Sequence, residues 1–105
     1  MPNDPDQPFT IAFVGYTTAA LAESAATYED AVLPLHADHG ARVLYRARRT
    51  PDQDESLPFE IHVTWFPNEA AFEAYLDDPR RAELLERFGE VFTSKQVVEV
   101  EMLSA

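Results

Sequence analysis

The stretch PFEIHVTWF, residues 58–66, decides the fold. Phe59, Ile61, Val63 and Trp65 alternate with Glu60, His62, Thr64 and Phe66, the period of two that marks a β-strand. One of its faces is apolar and the other mixes aromatic, ionisable and hydroxyl groups. Such a strand expects cover on both sides, with helices of its own chain on one and a second sheet on the other. Working upstream, ARVLYRARR (41–49) repeats the pattern, setting Val43, Tyr45 and Ala47 against Arg42, Leu44, Arg46 and Arg48. FTIAFVGY (9–16) is a further strand rich in β-branched and aromatic residues. Lys95 to Leu103 closes the set as a fourth.

Helical spacing fills the gaps. Leu21, Ala25, Tyr28, Val32 and Leu35 form one apolar stripe within a helix expected over Ala19–Ala37, with Thr17 or Thr18 as its cap. Pro34 has no N–H to donate, so a kink or a break is expected near the last turn, and Gly40 ends the helix. Asn68 caps a second helix, Glu69–Leu76. Asp77-Asp78-Pro79 breaks it, and Arg80–Phe88 adds another turn or two before Gly89. The order β-α-β-β-α-β is the ferredoxin-like arrangement of the α+β class, with a four-stranded antiparallel sheet. Residues 1–8, polar and proline-rich, read as a flexible lead-in, and residues 9–105 as one domain. Helices of one chain cover one sheet face, so a two-fold homodimer through the other face, a dimeric α+β barrel, is the expected assembly.

Composition narrows the classes. The 105 residues are 46% hydrophobic, with 7 Phe, 4 Tyr and 1 Trp to fill a core, and a chain this short gains burial cheaply by self-association. A net charge of −11, from 19 acidic and 8 basic residues, argues against nucleic acid and anionic membrane surfaces as partners. Without cysteine there is no disulfide, thiol nucleophile or thiolate metal site. The opening residues lack the basic and apolar blocks of a signal peptide and no apolar run reaches membrane-span length, so a soluble cytoplasmic protein is expected.

YEDAVLPLHADHGARVLYRARR (28–49) and FPNEAAFEAYLDDPRR (66–81) resemble the dimeric α+β-barrel superfamily over nearly the whole chain after Pro8. That superfamily holds small stress-type domains, cofactor-free antibiotic-biosynthesis monooxygenases and polyketide cyclases. The resemblance implies a small-molecule ligand between sheet and helices, with the mixed strand face as the cleft side and Tyr75 as a polar residue on the second helix. The catalytic His that these enzymes carry after the helix-breaking proline falls on Arg81, so their acid/base chemistry does not transfer directly.

On that face His62, Tyr75 and Arg46 are the candidate catalytic residues. Tyr28, Glu60, Thr64, Phe66, Phe72 and Arg81 are the candidate ligand contacts. An imidazole titrates near neutrality and suits proton removal from an activated carbon or a phenol. Glu60, two residues away, could orient or charge it, and Arg46 could hold a carboxylate or a developing enolate. The competing reading is a cross-strand Arg–Glu ion pair with a histidine satisfied beside it. His36 and His39, three apart, could join His62 on a metal, but a His near a helix C-terminus is favoured by the dipole alone, and no metal or cofactor is expected. Three functions remain open at this point. They are a cofactor-independent cyclase, isomerase or monooxygenase for an aromatic or polyketide-like substrate, a non-catalytic ligand-binding or stress-response domain, and a dimerisation module.

Overall fold

The computed structural model describes residues 4–104; Met1–Asn3 of the expected lead-in and Ala105 at the domain's end lie outside the described residues. The elements run β1 (Phe9–Tyr16), α1 (Ala22–Val32), a 3₁₀ helix (Leu33–His39), β2 (Arg42–Arg48), β3 (Glu60–Phe66), α2 (Glu69–Leu76), α3 (Pro79–Phe88) and β4 (Ser94–Val100). The strands form one sheet in the order β2-β3-β1-β4, every neighbouring pair antiparallel. This is the ferredoxin-like α+β fold, with the second helix of the motif divided in two.

Local chemistry accounts for the breaks. Pro34 stands in the first turn of the 3₁₀ helix, where its missing N–H costs nothing, so the long expected helix divides at that point. Gly40 ends it at φ 73°, a left-handed conformation open to glycine, and its N–H and that of Ala41 close on the carbonyls of Ala37 and His36. The Asn68 side chain accepts the Ala71 N–H at the start of α2, as expected. Asp78 does the same for the Arg80 N–H, and Pro79 occupies the first turn. With both signals present α3 runs Pro79–Phe88, one residue earlier at its start than the expected Arg80–Phe88.

Two expectations need correction. Thr17 does not cap α1: its Oγ1 donates to the Val91 carbonyl at 2.6 Å, and the helix begins at Ala22 after a turn. β4 stops at Val100 instead of Leu103, because its partner β1 begins at Phe9 and the last ladder pair is Thr10 with Val100. At the other end of the chain the Pro5 carbonyl accepts the Glu69 N–H, which ties residues 4–8 to the start of α2.

Register sets the faces, since residues directly opposite share one. Phe9, Ile11, Phe13 and Gly15 of β1 stand against Phe66, Thr64, His62 and Glu60 of β3, all toward the helices. In β2 a register shift between Val43 and Tyr45 breaks the expected alternation. Val43 faces the helices with Arg46 and Arg48, while Arg42, Tyr45 and Ala47 face away. The bulge inserts one residue, Leu44, and inverts the pattern beyond it. The far face, with Ala12, Val14, Tyr45, Ile61, Val63, Trp65 and Val98, is apolar and open, Tyr45 and Val98 being 65% and 54% exposed. The core lies on the helix side around Phe9, Tyr28, Val32, Leu33, Phe66 and Tyr75.

Gly15 lets two aromatic rings approach the backbone of β1. A Cβ there would stand 2.7 Å from the Phe13 ring and 2.8 Å from that of Phe92. Gly15→Ala is therefore expected to cost about 1–3 kcal/mol by overpacking and to tilt Phe13 off its neighbour His62. Urea midpoints and the ring-current shift of the His62 protons check this; an unchanged midpoint and shift would show that the rings move aside freely.

Candidate functional site

The helix side of the sheet carries two polar clusters and a peripheral network. The first cluster is built by β2, β3 and α1. The Glu60 carboxylate is fully buried and accepts from Arg48 Nη2 at 2.7 Å, Arg48 Nε at 3.0 Å and Arg46 Nη2 at 3.1 Å. Both guanidinium groups also donate to Asp30 Oδ1, at 2.9 and 3.0 Å. These bonds hold Asp30 below its ordinary range, Arg48 contributing most, and leave both arginines more firmly protonated. The Arg46–Glu60 cross-strand pair foreseen as the bland alternative is present. Arg46, read as a ligand anchor from the sequence, has its guanidinium engaged by two carboxylates.

The second cluster lies beside it. His62, its side chain 11% exposed, is stacked on Phe13 at 4.5 Å with the rings 10° from parallel, and Phe13 meets Phe92 edge-on. Its Nε2 stands 3.4 Å from Oε2 of Glu29, a buried residue of α1. That contact lacks hydrogen-bond geometry, so Glu29 Oε2 has no bond and neither does His62 Nδ1. Burial above all raises the Glu29 pKa, and the neighbouring Glu60 raises it further, against the lowering effect of His62. Thr64, next on the same strand face, is buried with Oγ1 unpartnered.

Toward α2 and α3 the wall becomes aromatic. Tyr75 stacks on His36 at 3.9 Å and has the Arg81 guanidinium over its ring at 5.6 Å. Burial raises both Tyr75 and Tyr28 above the ordinary phenol range, and Arg81 partly offsets this in each. Arg81 Nε is also buried without a partner. Phe66 and Phe72 meet edge-on, and both pack against Phe9 beside α2.

His36 and His39 do not join His62. The Nδ1–H of His36 donates to the Leu33 carbonyl at 2.8 Å, and burial, aided by His62, Arg81 and His39, lowers its pKa to about 4. His39 Nε2 meets Asp78 at 2.7 Å in a network that continues through Arg80 to Asp38. The bonds from Arg80 and His39 hold Asp78 well below the usual carboxylate range.

His62, Thr64, Tyr28, Tyr75 and Arg81 thus share the helix side with Phe66 and Phe72, while Arg46 and Glu60 form a neighbouring ion cluster. Sequence reasoning missed Glu29, Asp30 and the pairing role of Arg48. The signal for Glu29 was its spacing, four residues after Ala25 and three before Val32, which puts a carboxylate on the buried stripe of α1. Two grooves open elsewhere. One of about 820 Å³ lies at the sheet end beside Phe9, Arg42, Leu44, Trp65 and Met102. The other, of about 490 Å³, lies between the 3₁₀ helix and the bulged start of β2.

No protein-family model and no curated protein matches the chain. Solved structures do share its fold. A Rhodopseudomonas palustris protein of unknown function superposes with a TM-score of 0.70 at 16% identity, over 98% of this chain and 88% of its own. A Bacteroides thetaiotaomicron protein provisionally assigned as an antibiotic biosynthesis monooxygenase gives 0.72 at 12%, over 96% and 94%. A nipsnap family protein of unknown function from Agrobacterium tumefaciens gives 0.68 at 10%, over 95% and 92%. At these identities the likeness establishes the fold and leaves the chemistry to the site.

The His36 environment sets a pH dependence. Its folded pKa lies below the unfolded value of about 6.5, so its contribution is complete above pH 6.5 and is lost as pH falls toward 4, on the order of 3 kcal/mol at most. Glu29, raised in the fold, works in the opposite sense. His36→Phe keeps the stack on Tyr75 and removes the titration. Urea unfolding at pH 7.5 and pH 4.5 is expected to show a smaller loss on acidification in the variant than in wild type; equal losses would place the acid sensitivity elsewhere.

Proposed function

We propose that the chain is a small-molecule-binding homodimer. Each protomer removes a proton from an aromatic or polyketide-like ligand, without a cofactor, in a cyclisation or isomerisation. One observation carries the reading: four buried polar atoms on the helix side, Glu29 Oε2, His62 Nδ1, Thr64 Oγ1 and Arg81 Nε, have no hydrogen-bond partner. Buried polar groups are nearly always satisfied, and unsatisfied ones on β3 and on the helices that cover it fit a surface that completes its bonds with a ligand. His62 is the base, taking the proton from a weakly acidic carbon or phenol and leaving an enolate or phenolate. Glu29, 3.4 Å from the ring, favours the imidazolium that forms. Arg81 and Tyr75 take the part of anion anchor first assigned to Arg46.

A second reading, a domain that binds without turnover, is favoured by Phe66 and Tyr28, which at 1% and 6% exposure fill the space near α2. A panel of planar hydroxyaromatic and polyketide-like compounds separates the two. In the catalytic reading a bound compound is converted by wild type, His62→Ala abolishes conversion, and Arg81→Ala weakens binding about tenfold. Conversion that survives His62→Ala overturns the role of His62. Binding with no conversion selects the second reading.

The homodimer rests on the open face. Ile61 is 42% exposed, and with Val63, Trp65, Tyr45 and Val98 it forms a continuous apolar surface of the kind that marks an interface. Sedimentation at low micromolar concentration is expected to give twice the chain mass, and the double variant Ile61→Lys/Val98→Lys a folded monomer. A wild-type monomer overturns the dimer.

A further inference from the structure

We propose that Glu29, Glu60 and His62 form a binding site for a divalent transition-metal cation of the zinc or manganese class. One ligand atom from each lies within 4.8 Å of the other two, and all three side chains are buried. Glu60 and His62 stand two residues apart on one face of β3, and Glu29 reaches them from α1. The inference concerns the same part of the molecule as the function proposed above but does not require turnover.

Three observations support an ion there. First, the His62 Nε2 to Glu29 Oε2 separation of 3.4 Å does not make a hydrogen bond. It matches the roughly 3.3–3.4 Å between neighbouring ligands around a tetrahedral ion with bonds of about 2.0–2.1 Å. Second, the arginines answer only two of the three carboxylates, and the third has an imidazole alone beside it. Arg46 and Arg48 answer Glu60 and Asp30, two against two, which leaves Glu29, 4% exposed, as a surplus carboxylate next to Glu60. Two buried carboxylates that converge repel one another and attract a cation. Third, Glu60 is unequally used. Its Oε1 takes the three short bonds, whereas Oε2 has only long contacts from Arg46, at 3.3 and 3.4 Å, and retains a lone pair for an ion. Thr64 Oγ1, buried, unpartnered and next along the same strand face, can hold a water in the fourth coordination position.

One imidazole nitrogen and two carboxylate oxygens suit zinc, manganese or ferrous ions better than the all-oxygen preference of magnesium and calcium. An ion on Nε2 fixes the proton of the neutral imidazole on Nδ1, the nitrogen left without a partner, so a metal-bound His62 does not serve as the base.

The test is calorimetric titration of ZnCl2 into chelator-treated protein, with Co²⁺ absorption as a second readout. Wild type is expected to bind one equivalent and to give the intense visible bands of four-coordinate Co²⁺. Glu29→Gln and His62→Ala are each expected to weaken Zn²⁺ at least tenfold, and His39→Ala, on the peripheral network, to leave it unchanged. Circular dichroism of each variant checks folding. Should Glu29→Gln fail to fold, His62→Ala and the cobalt spectrum of wild type decide. Failure to bind one equivalent, equal affinity in wild type and His62→Ala, or loss in His39→Ala overturns the site. If metal binding fails while the aromatic panel still binds, only the metal inference falls. If metal binds and no compound does, only the ligand reading falls.

Discussion

The fold turns on one buried carboxylate. Glu60 has no exposed surface, and a charge so placed is tolerated only when its hydrogen-bonding capacity is met by fixed opposite charge. Arg46 and Arg48 meet it from β2, and Asp30 on α1 binds the same two guanidinium groups from the solvent side. One ion cluster therefore fixes the edge strand to β3 and both to the first helix. Its arginines are about a third exposed, which softens the pairwise energies, but neither partner can be removed without leaving Glu60 uncompensated.

Everything beside that clamp adapts to it. Arg46 and Arg48 reach Glu60 because the bulge at Leu44 realigns β2 after Val43. Opposite Glu60 on β1 stands Gly15, where the absence of a side chain admits the rings of Phe13 and Phe92. Phe13 then lies flat against His62 and directs it toward Glu29. The sheet thus presents a tightly bonded charged corner next to an imidazole–carboxylate pair whose polar atoms are incompletely used. This contrast between satisfied and unsatisfied groups separates framework from candidate chemistry.

The solved neighbours share the fold at 10–16% identity, including a provisionally assigned monooxygenase and proteins of unknown function. A sheet with helices on one side tolerates such divergence because its demands are generic: alternation on the strands, caps and breaks on the helices, apolar cover where the layers meet. The contents of the helix side are less constrained. Arg81 stands where the resemblance led one to look for histidine, and here it lies over the Tyr75 ring instead.

Much of the architecture was legible in local chemistry. Period-two alternation located β2 and β3, β-branched and aromatic content located β1, Asn68 and Gly89 marked helix ends, and Pro34 marked the division between α1 and the 3₁₀ helix, because backbone hydrogen bonding and φ restriction act within a few residues. The mixed face of β3 could likewise be read as a unit. Other features depended on partners distant in sequence. Thr17 looked like a cap until Val91, seventy-four residues away, supplied its acceptor. The bulge at Leu44 reversed which residues of β2 share a face, and Glu29 rather than Glu60 came to lie against His62. A sequence fixes which groups a chain carries and their local periodicity. Which buried charge meets which counter-charge was settled only by register and helix docking, since those set the few ångströms over which such groups interact.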